Sequence, residues 1–258
     1  VATGMIVFWN LNNQKTIQGF SRPEKNDNKS LVFHINENQG INSDNFVIDA
    51  EENENVVIFN ISFNQKIEYL PEGVGEKFPY LTEYYAFGSG VKALNSLNFK
   101  DLSKLENLNL IRNNIARINS EDFKFLRSLQ FLKLSENKIA HISIDSFDPL
   151  TNLKTLFLKK NLIKTVNFKI NLLSELHTLD MSDNQIVELP GDFLKNNKKL
   201  EVFYLNGNNI HTLSQTTFDG LSALRFLDLT GNSCLNAVYR KDKIVDIKEA
   251  IKSLCTLT

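Results

Sequence analysis

The 258 residues are 42% hydrophobic, enough for one continuous core without a second globular domain, and 29 basic against 30 acidic side chains leave the chain near neutrality. That balance gives no general drive toward nucleic acid, and no apolar run approaches the length of a membrane span, so neither nucleic-acid binding nor membrane insertion is expected. No signal peptide stands at Val1, so a secreted chain would be one whose leader has already been removed.

In chain order, Gly4–Asn10, Ser30–Asn36 and Asn45–Asp49 are short runs rich in Val, Ile and Phe between clusters of Asn, Asp, Gly and Pro. They predict strands. Residues 1–55 read as a β-rich cap, with Phe8 and Trp9 plugging the open end of the unit that follows. Asn28 and Asn60 each open an N-glycosylation sequon, Asn28-Lys29-Ser30 and Asn60-Ile61-Ser62.

Residues 56–232 repeat one phrase. Leu105, Leu129, Leu153, Leu176, Leu200 and Leu224 open successive units at intervals of 24, 24, 23, 24 and 24 residues. Each unit continues with two alternating apolar positions (Leu108 and Leu110, Leu132 and Leu134) and a closing asparagine: Asn113, Asn137, Asn161, Asn184, Asn208 and Asn232. A later apolar pair follows, and Phe123, Phe147, Phe193 and Phe218 recur on the far side. Two degenerate units precede these, one opening at Leu81 with Ser89 in the asparagine's place, the other at Val56 with one inserted residue. About eight coils are therefore expected. The unit at Leu153 lacks its phenylalanine, and Ile170, Leu172 and Leu173 are expected to fill that place.

The physical reason for the phrase is stacking. One coil cannot enclose its own leucines, so neighbours must cover them, each fully buried side chain gaining roughly 1.5–3 kcal/mol. The alternation predicts a short strand per coil, and the strands predict a parallel sheet on the inner wall. Each asparagine amide carries donors and an acceptor for backbone groups that the tight turn removes from the sheet.

At the far end, residues 233–258 form a second cap. Ile244, Ile247, Ile251 and Leu254 recur at helical spacing between Lys243 and Cys255. A helix laid across the last coil would bring Cys234 and Cys255 together as a disulfide, with two free thiols as the alternative. A single bridge argues for an oxidising compartment, hence a secreted, extracellular protein.

The run from Leu105 to Ile142, LENLNLIRNNIARINSEDFKFLRSLQFLKLSENKIAHI, resembles the 24-residue class of extracellular leucine-rich repeats. The stretch from Val56 to Leu94 also resembles the start of the repeats in secreted insect leucine-rich repeat proteins, some of them immune factors. The resemblance implies an α/β right-handed horseshoe with a concave parallel sheet, protein binding, an extracellular site and a role in innate immunity.

Function is expected on the concave wall, where side chains are repeated and held on a rigid sheet. The residues read as ligand-binding are Tyr85, Phe87, Phe131, Lys133, Phe157, Lys159, Asp180, Tyr204, Phe226 and Asp228. Exposed aromatic groups on a scaffold mark contact surfaces. Arg112, Lys133, Lys159 and Lys160 make a basic middle, and Asp180, Asp183 and Asp228 an acidic end.

Catalysis finds no residues. His34, His141, His177 and His211 are dispersed, and none forms a metal-binding pair. Carboxylates two coils apart would stand roughly 10 Å from one another, too wide for one ion. Gly88-Ser89-Gly90 reads as a turn, matching neither a phosphate loop nor a nucleophile elbow. The expectation is a secreted recognition protein with no cofactor, no metal and no catalytic residue, holding a protein partner. A structural or adhesive extracellular module that self-associates or joins a receptor or matrix assembly is the alternative.

Overall fold

The computed structural model describes residues 6–10, 17–23, 31–35, 46–49 and 56–255. Eight short parallel strands pair in sequence order through the solenoid: Val56–Asn60, Glu83–Tyr85, Asn107–Asn109, Phe131–Lys133, Thr155–Phe157, Thr178–Asp180, Val202–Tyr204 and Phe226–Asp228. Eight strands enclose seven complete turns, and the last strand runs into the carboxy-terminal cap. The register is uniform. Leu108, Leu132, Leu156, Leu179, Phe203 and Leu227 pair laterally, each wholly buried, while the residues on either side of them face outward.

The asparagines form an interlocking ladder. Nδ2 of Asn161 donates to the carbonyl of Leu158 in its own coil and to that of Leu134 one coil back, both at 3.0 Å. Its Oδ1 accepts from the Ile139 N–H, also one coil back, at 3.0 Å. Asn137, Asn184, Asn208 and Asn232 repeat these three bonds, and Ser89 keeps one of them by donating to Ile61 O at 2.7 Å. A second periodicity accompanies the ladder. The residue before the polar position that follows each of the eight strands, Asn64 and Asn113 included, is left-handed: Phe63, Gly88, Arg112, Glu136, Lys160, Asp183, Gly207 and Gly231. Glycine adopts that backbone without steric cost, whereas the other five meet a Cβ penalty that the surrounding bonds must offset.

On the outer arc, Phe99, Phe123, Phe147, Phe168 and Phe193 run as a column of rings 5.6–6.2 Å apart. Phe168 thus fills the place expected for Ile170, Leu172 and Leu173. Ile170 and Leu173 are buried beside it, but Leu172 is 45% exposed.

The residue before the ring is Asp122 in one coil, almost wholly buried, with Oδ2 accepting from the Asn119 N–H at 2.7 Å. Burial pushes its carboxyl up to about 6, against the pull of that hydrogen bond. Because the folded state favours the protonated acid, this group's contribution to stability is full below the unfolded value near 4. It is lost as pH rises through about 6. Asp122→Asn should therefore raise stability at pH 7.5 by about 1–3 kcal/mol, an advantage that vanishes by pH 4. Urea midpoints at the two pH values measure it, and an equal difference at both would contradict the assignment. The fold tolerates the amide, since Asn98 holds the equivalent place one coil earlier and accepts from Asn95 N–H at 2.8 Å.

Both sheet edges of the solenoid are covered. Leu31–Ile35 pairs parallel with Val56–Asn60, and Ile17–Pro23, Ile6–Asn10 and Phe46–Asp49 extend the sheet antiparallel beyond it. Three of these strands match the sequence expectation; Ile17–Pro23 does not appear in it. Asn28 and the side chains of Phe8 and Trp9 lie outside what is described.

At the other edge, Val238–Arg240 pairs antiparallel with Phe226–Asp228, a strand that the sequence reading did not anticipate. The expected helix divides into a 3-10 segment, Lys241–Asp246, and an α-helix, Ile247–Leu254. Ile247 and Ile251 are buried, but Leu254 is 62% exposed, so the apolar stripe is narrower than its spacing suggested. Cys234 and Cys255 are joined in a disulfide with Cα atoms 4.9 Å apart.

Candidate functional site: the concave sheet

Alternation within each strand turns one residue inward and presents its neighbours, and lateral pairing lines these up as columns. One column runs Asn60, Tyr85, Asn109, Lys133, Phe157, Asp180, Tyr204, Asp228, with consecutive members paired across the sheet. Four members fix their own side chains. Oδ1 of Asn60, Asn109, Asp180 and Asp228 accepts from the backbone N–H two residues on, at 2.9, 3.1, 2.9 and 2.9 Å. In the two aspartates the same oxygen also accepts a hydroxyl, from Ser182 at 2.6 Å and Thr230 at 2.7 Å. Their Oδ2 atoms have no partner among the described residues.

Five of the six candidate aromatic residues fall into three groups, and the sixth, Phe157, lines the cleft at the carboxy-terminal end. At the amino-terminal end, the Tyr85 hydroxyl donates to Glu83 Oε2 and accepts from Asn107 Nδ2 at 3.3 Å. Phe87 meets Phe63 edge-on at 5.1 Å, with the Arg112 guanidinium 5.4 Å from its centre. In the middle, Phe131 is 37% exposed beside Lys133. At the carboxy-terminal end, Tyr204 packs on Phe226 at 5.3 Å, and Arg240 of the cap lies 5.5 Å from the Phe226 ring. Apart from Phe131, the six candidate aromatic residues are half-buried rather than exposed, so part of their area shields neighbouring strands.

A cleft of about 570 Å³ opens at the carboxy-terminal end, lined by Phe157, Lys159, Thr178, Asp180, Ser182, Val202, Tyr204, Asn206 and Asp228. Five of the ten sequence candidates meet there: Phe157, Lys159, Asp180, Tyr204 and Asp228. Phe226 supports its edge through Tyr204. Tyr85, Phe87 and Phe131 stand on earlier coils, and Lys133 borders the cleft as the lateral neighbour of Phe157 without lining it.

The charge pattern differs from the expected polarity. Arg112 pairs with Glu136 at 2.9 Å and Lys159 with Asp183 at 3.4 Å, so the basic middle is partly neutralised. Ion pairs at this exposure contribute at most about 1 kcal/mol to stability, but they do remove free charge from the face.

Sequence reasoning missed Phe63, left-handed and 70% exposed at the rim, whose only signal was its place before the closing asparagine. It also missed Arg240, because nothing marked its strand. A second cavity of about 370 Å³ lies on the outer arc among Val166, Phe168, Ile170, Pro190 and Phe193, where the 23-residue coil carries its ring early. Among the described residues no three His, Cys, Asp or Glu side chains gather to hold a metal ion, and no helix is long and apolar enough to cross a membrane. Asn60 stands on the inner wall of the first coil, half-buried, with its Oδ1 engaged by Ser62.

The leucine rich repeat family model matches residues 88–139 and 174–233. The solenoid, its parallel sheet and its repeating phrase make this a leucine-rich repeat fold. A search of curated proteins gives no match. Among solved structures, the crystal structure of a TLR13-ssRNA13 complex is similar, at 28% identity and a TM-score of 0.65, over 69% of this chain and 25% of that one. The likeness thus spans about a quarter of the larger chain. That protein was solved with ssRNA, so the comparison lends no support to excluding nucleic acid, as near-neutral charge had suggested.

Proposed function

We propose that this chain is an extracellular, non-catalytic recognition module that holds a protein partner against its concave sheet, in the service of innate immunity. The observation that carries the reading is the cleft over the last four solenoid strands, where half-buried aromatic rings keep part of their area open and the Asp180 and Asp228 carboxylates each keep one oxygen without a partner among the described residues. The Cys234–Cys255 bridge supports an oxidising compartment. The likeness to a chain solved as a TLR13-ssRNA13 complex supports recognition as the class of activity.

The test begins with capture of the partner from the source's extracellular fluid and its identification by mass spectrometry. Tyr85, Phe131, Phe157 and Tyr204 are then replaced together by serine. Buried aromatic contacts at an interface are commonly worth 2 kcal/mol or more, so affinity should fall by at least about 30-fold. Unchanged capture by a folded variant would remove the concave face from consideration.

A further inference from the structure

We infer that the concave cleft is a pocket for an arginine side chain of the partner protein, with the Asp180 carboxylate as its counter-ion and the Phe157 and Tyr204 rings as its walls. The inference rests on the concave-face reading and names what that face recognises. Its basis is lateral order. Phe157, Asp180 and Tyr204 are paired residues on three consecutive strands, so the carboxylate sits between two aromatic side chains in one row.

Spacing selects the ligand. Strands about 4.8 Å apart place the two aromatic residues about 10 Å from one another at the backbone. A flat group stacked between two rings needs about 3.5–4 Å to each, about 7–8 Å in all, so the interval has room for a planar cation. A guanidinium meets both demands, stacking on aromatic faces while its N–H groups donate to a carboxylate.

Charge points the same way. Lys159 lines the cleft, but its ammonium lies 3.4 Å from Asp183, and Asp180 makes no ion pair among the described residues. Asp228 adds a second such carboxylate on the far side of Tyr204. Within the cleft lining Lys159 is the one cation, already held by Asp183, against the two carboxylates of Asp180 and Asp228, so the lining is net acidic and disfavours a phosphate backbone.

The experiment follows backbone amide shifts of the isotope-labelled full chain during titration with N-acetyl-arginine methylamide, its neutral citrulline counterpart and a single-stranded oligouridylate. The arginine compound should give saturable shifts at Asp180, Ser182 and Tyr204, and citrulline should bind at least about tenfold more weakly. Asp180→Asn should remove that preference without lowering the melting temperature. Asn109 already occupies the equivalent position and makes the same bond to the backbone two residues on. Equal binding of arginine and citrulline, indifference to Asp180→Asn, or occupation of the same amides by the RNA would each overturn the inference. If the four-serine variant loses the partner while Asp180→Asn binds arginine unchanged, the cation pocket fails and the concave reading stands. If that variant keeps the partner, the concave reading fails, and with it the claim that this pocket serves recognition.

Discussion

Asn161→Ala is expected to cost about 2–4 kcal/mol, more than a surface substitution can and more than a single lost hydrogen bond would. The ladder explains the size. The Leu134 carbonyl accepts from both Asn137 and Asn161, and the Leu158 carbonyl from both Asn161 and Asn184. Alanine therefore leaves each carbonyl with one donor rather than none. The Ile139 N–H has no such reserve, because Asn161 Oδ1 is its acceptor, and its burial beneath the next coil shuts out water. An orphaned buried donor costs about 1–3 kcal/mol, and the small void left by the amide adds to it. Asn161→Asp should be at least as damaging, since an ionised carboxylate keeps the acceptor but loses both donors and places a charge in the core. Urea denaturation of the two variants beside the wild type decides the matter, and a wild-type midpoint for Asn161→Ala would contradict the ladder. The loss should also be less severe at Asn232, which is half-buried at the end of the array.

What made the ladder legible was chemistry confined to one residue type at one spacing. Asparagine alone among uncharged side chains of that length supplies two donors and an acceptor, so its recurrence beside alternating leucines could be read as a structural bond before any coordinate. The left-handed column beside it was not legible for the opposite reason. Its eight positions hold Phe, Gly, Arg, Glu, Lys and Asp, and only the glycines advertise the backbone they adopt. Phe168 escaped because the outer arc has no strand to fix its count. Counting forward from Leu153 placed the missing ring among Ile170, Leu172 and Leu173, whereas the shortened arc carries it earlier and lets Phe147 and Phe193 close on it from either side.

The cap strand Val238–Arg240 is three residues long, too short for alternation to show. Ile17–Pro23 is interrupted by Gly19 and ends at Pro23, residues that punctuate rather than predict a strand. Of the concave site, the columns could be read but not the cleft. Phe157, Asp180 and Tyr204 are 23 and 24 residues apart, so their adjacency follows from the period; the depth between them follows from how half-buried rings lean on their neighbours.

Removing the carboxy-terminal bridge by Cys234→Ser with Cys255→Ser should lower stability by about 3 kcal/mol, the chain-entropy value for a loop of this size. For a chain of this length that corresponds to a fall of about 6–12 °C in melting temperature. The loss should be local. Between the two cysteines lie the strand that covers the last sheet edge and the helix whose Ile247 and Ile251 cover the last coil. Further bonds tie this cap down, among them those from the Cys234 N–H to Ile210 O at 3.0 Å, from the Leu229 N–H to Ala237 O at 2.9 Å, and between Lys248 and Asp219 at 2.7 Å. Without the bridge these contacts, the strand pairing and the packing of Ile247 and Ile251 must hold the cap. In a stack where each coil touches only its neighbours, hydrogen exchange should accelerate first from Leu224 to Leu254 and leave the amides around Leu132 and Leu156 unchanged. The consequence reaches the concave face, because Arg240 on the cap strand lies against Phe226, which in turn supports Tyr204 at the edge of the cleft. A bridge-free variant should therefore bind through the cleft more weakly while the rest of the inner wall keeps its order. Uniform acceleration along the whole chain would mean that the coils unfold together, and an unchanged last coil would mean that packing alone secures the cap.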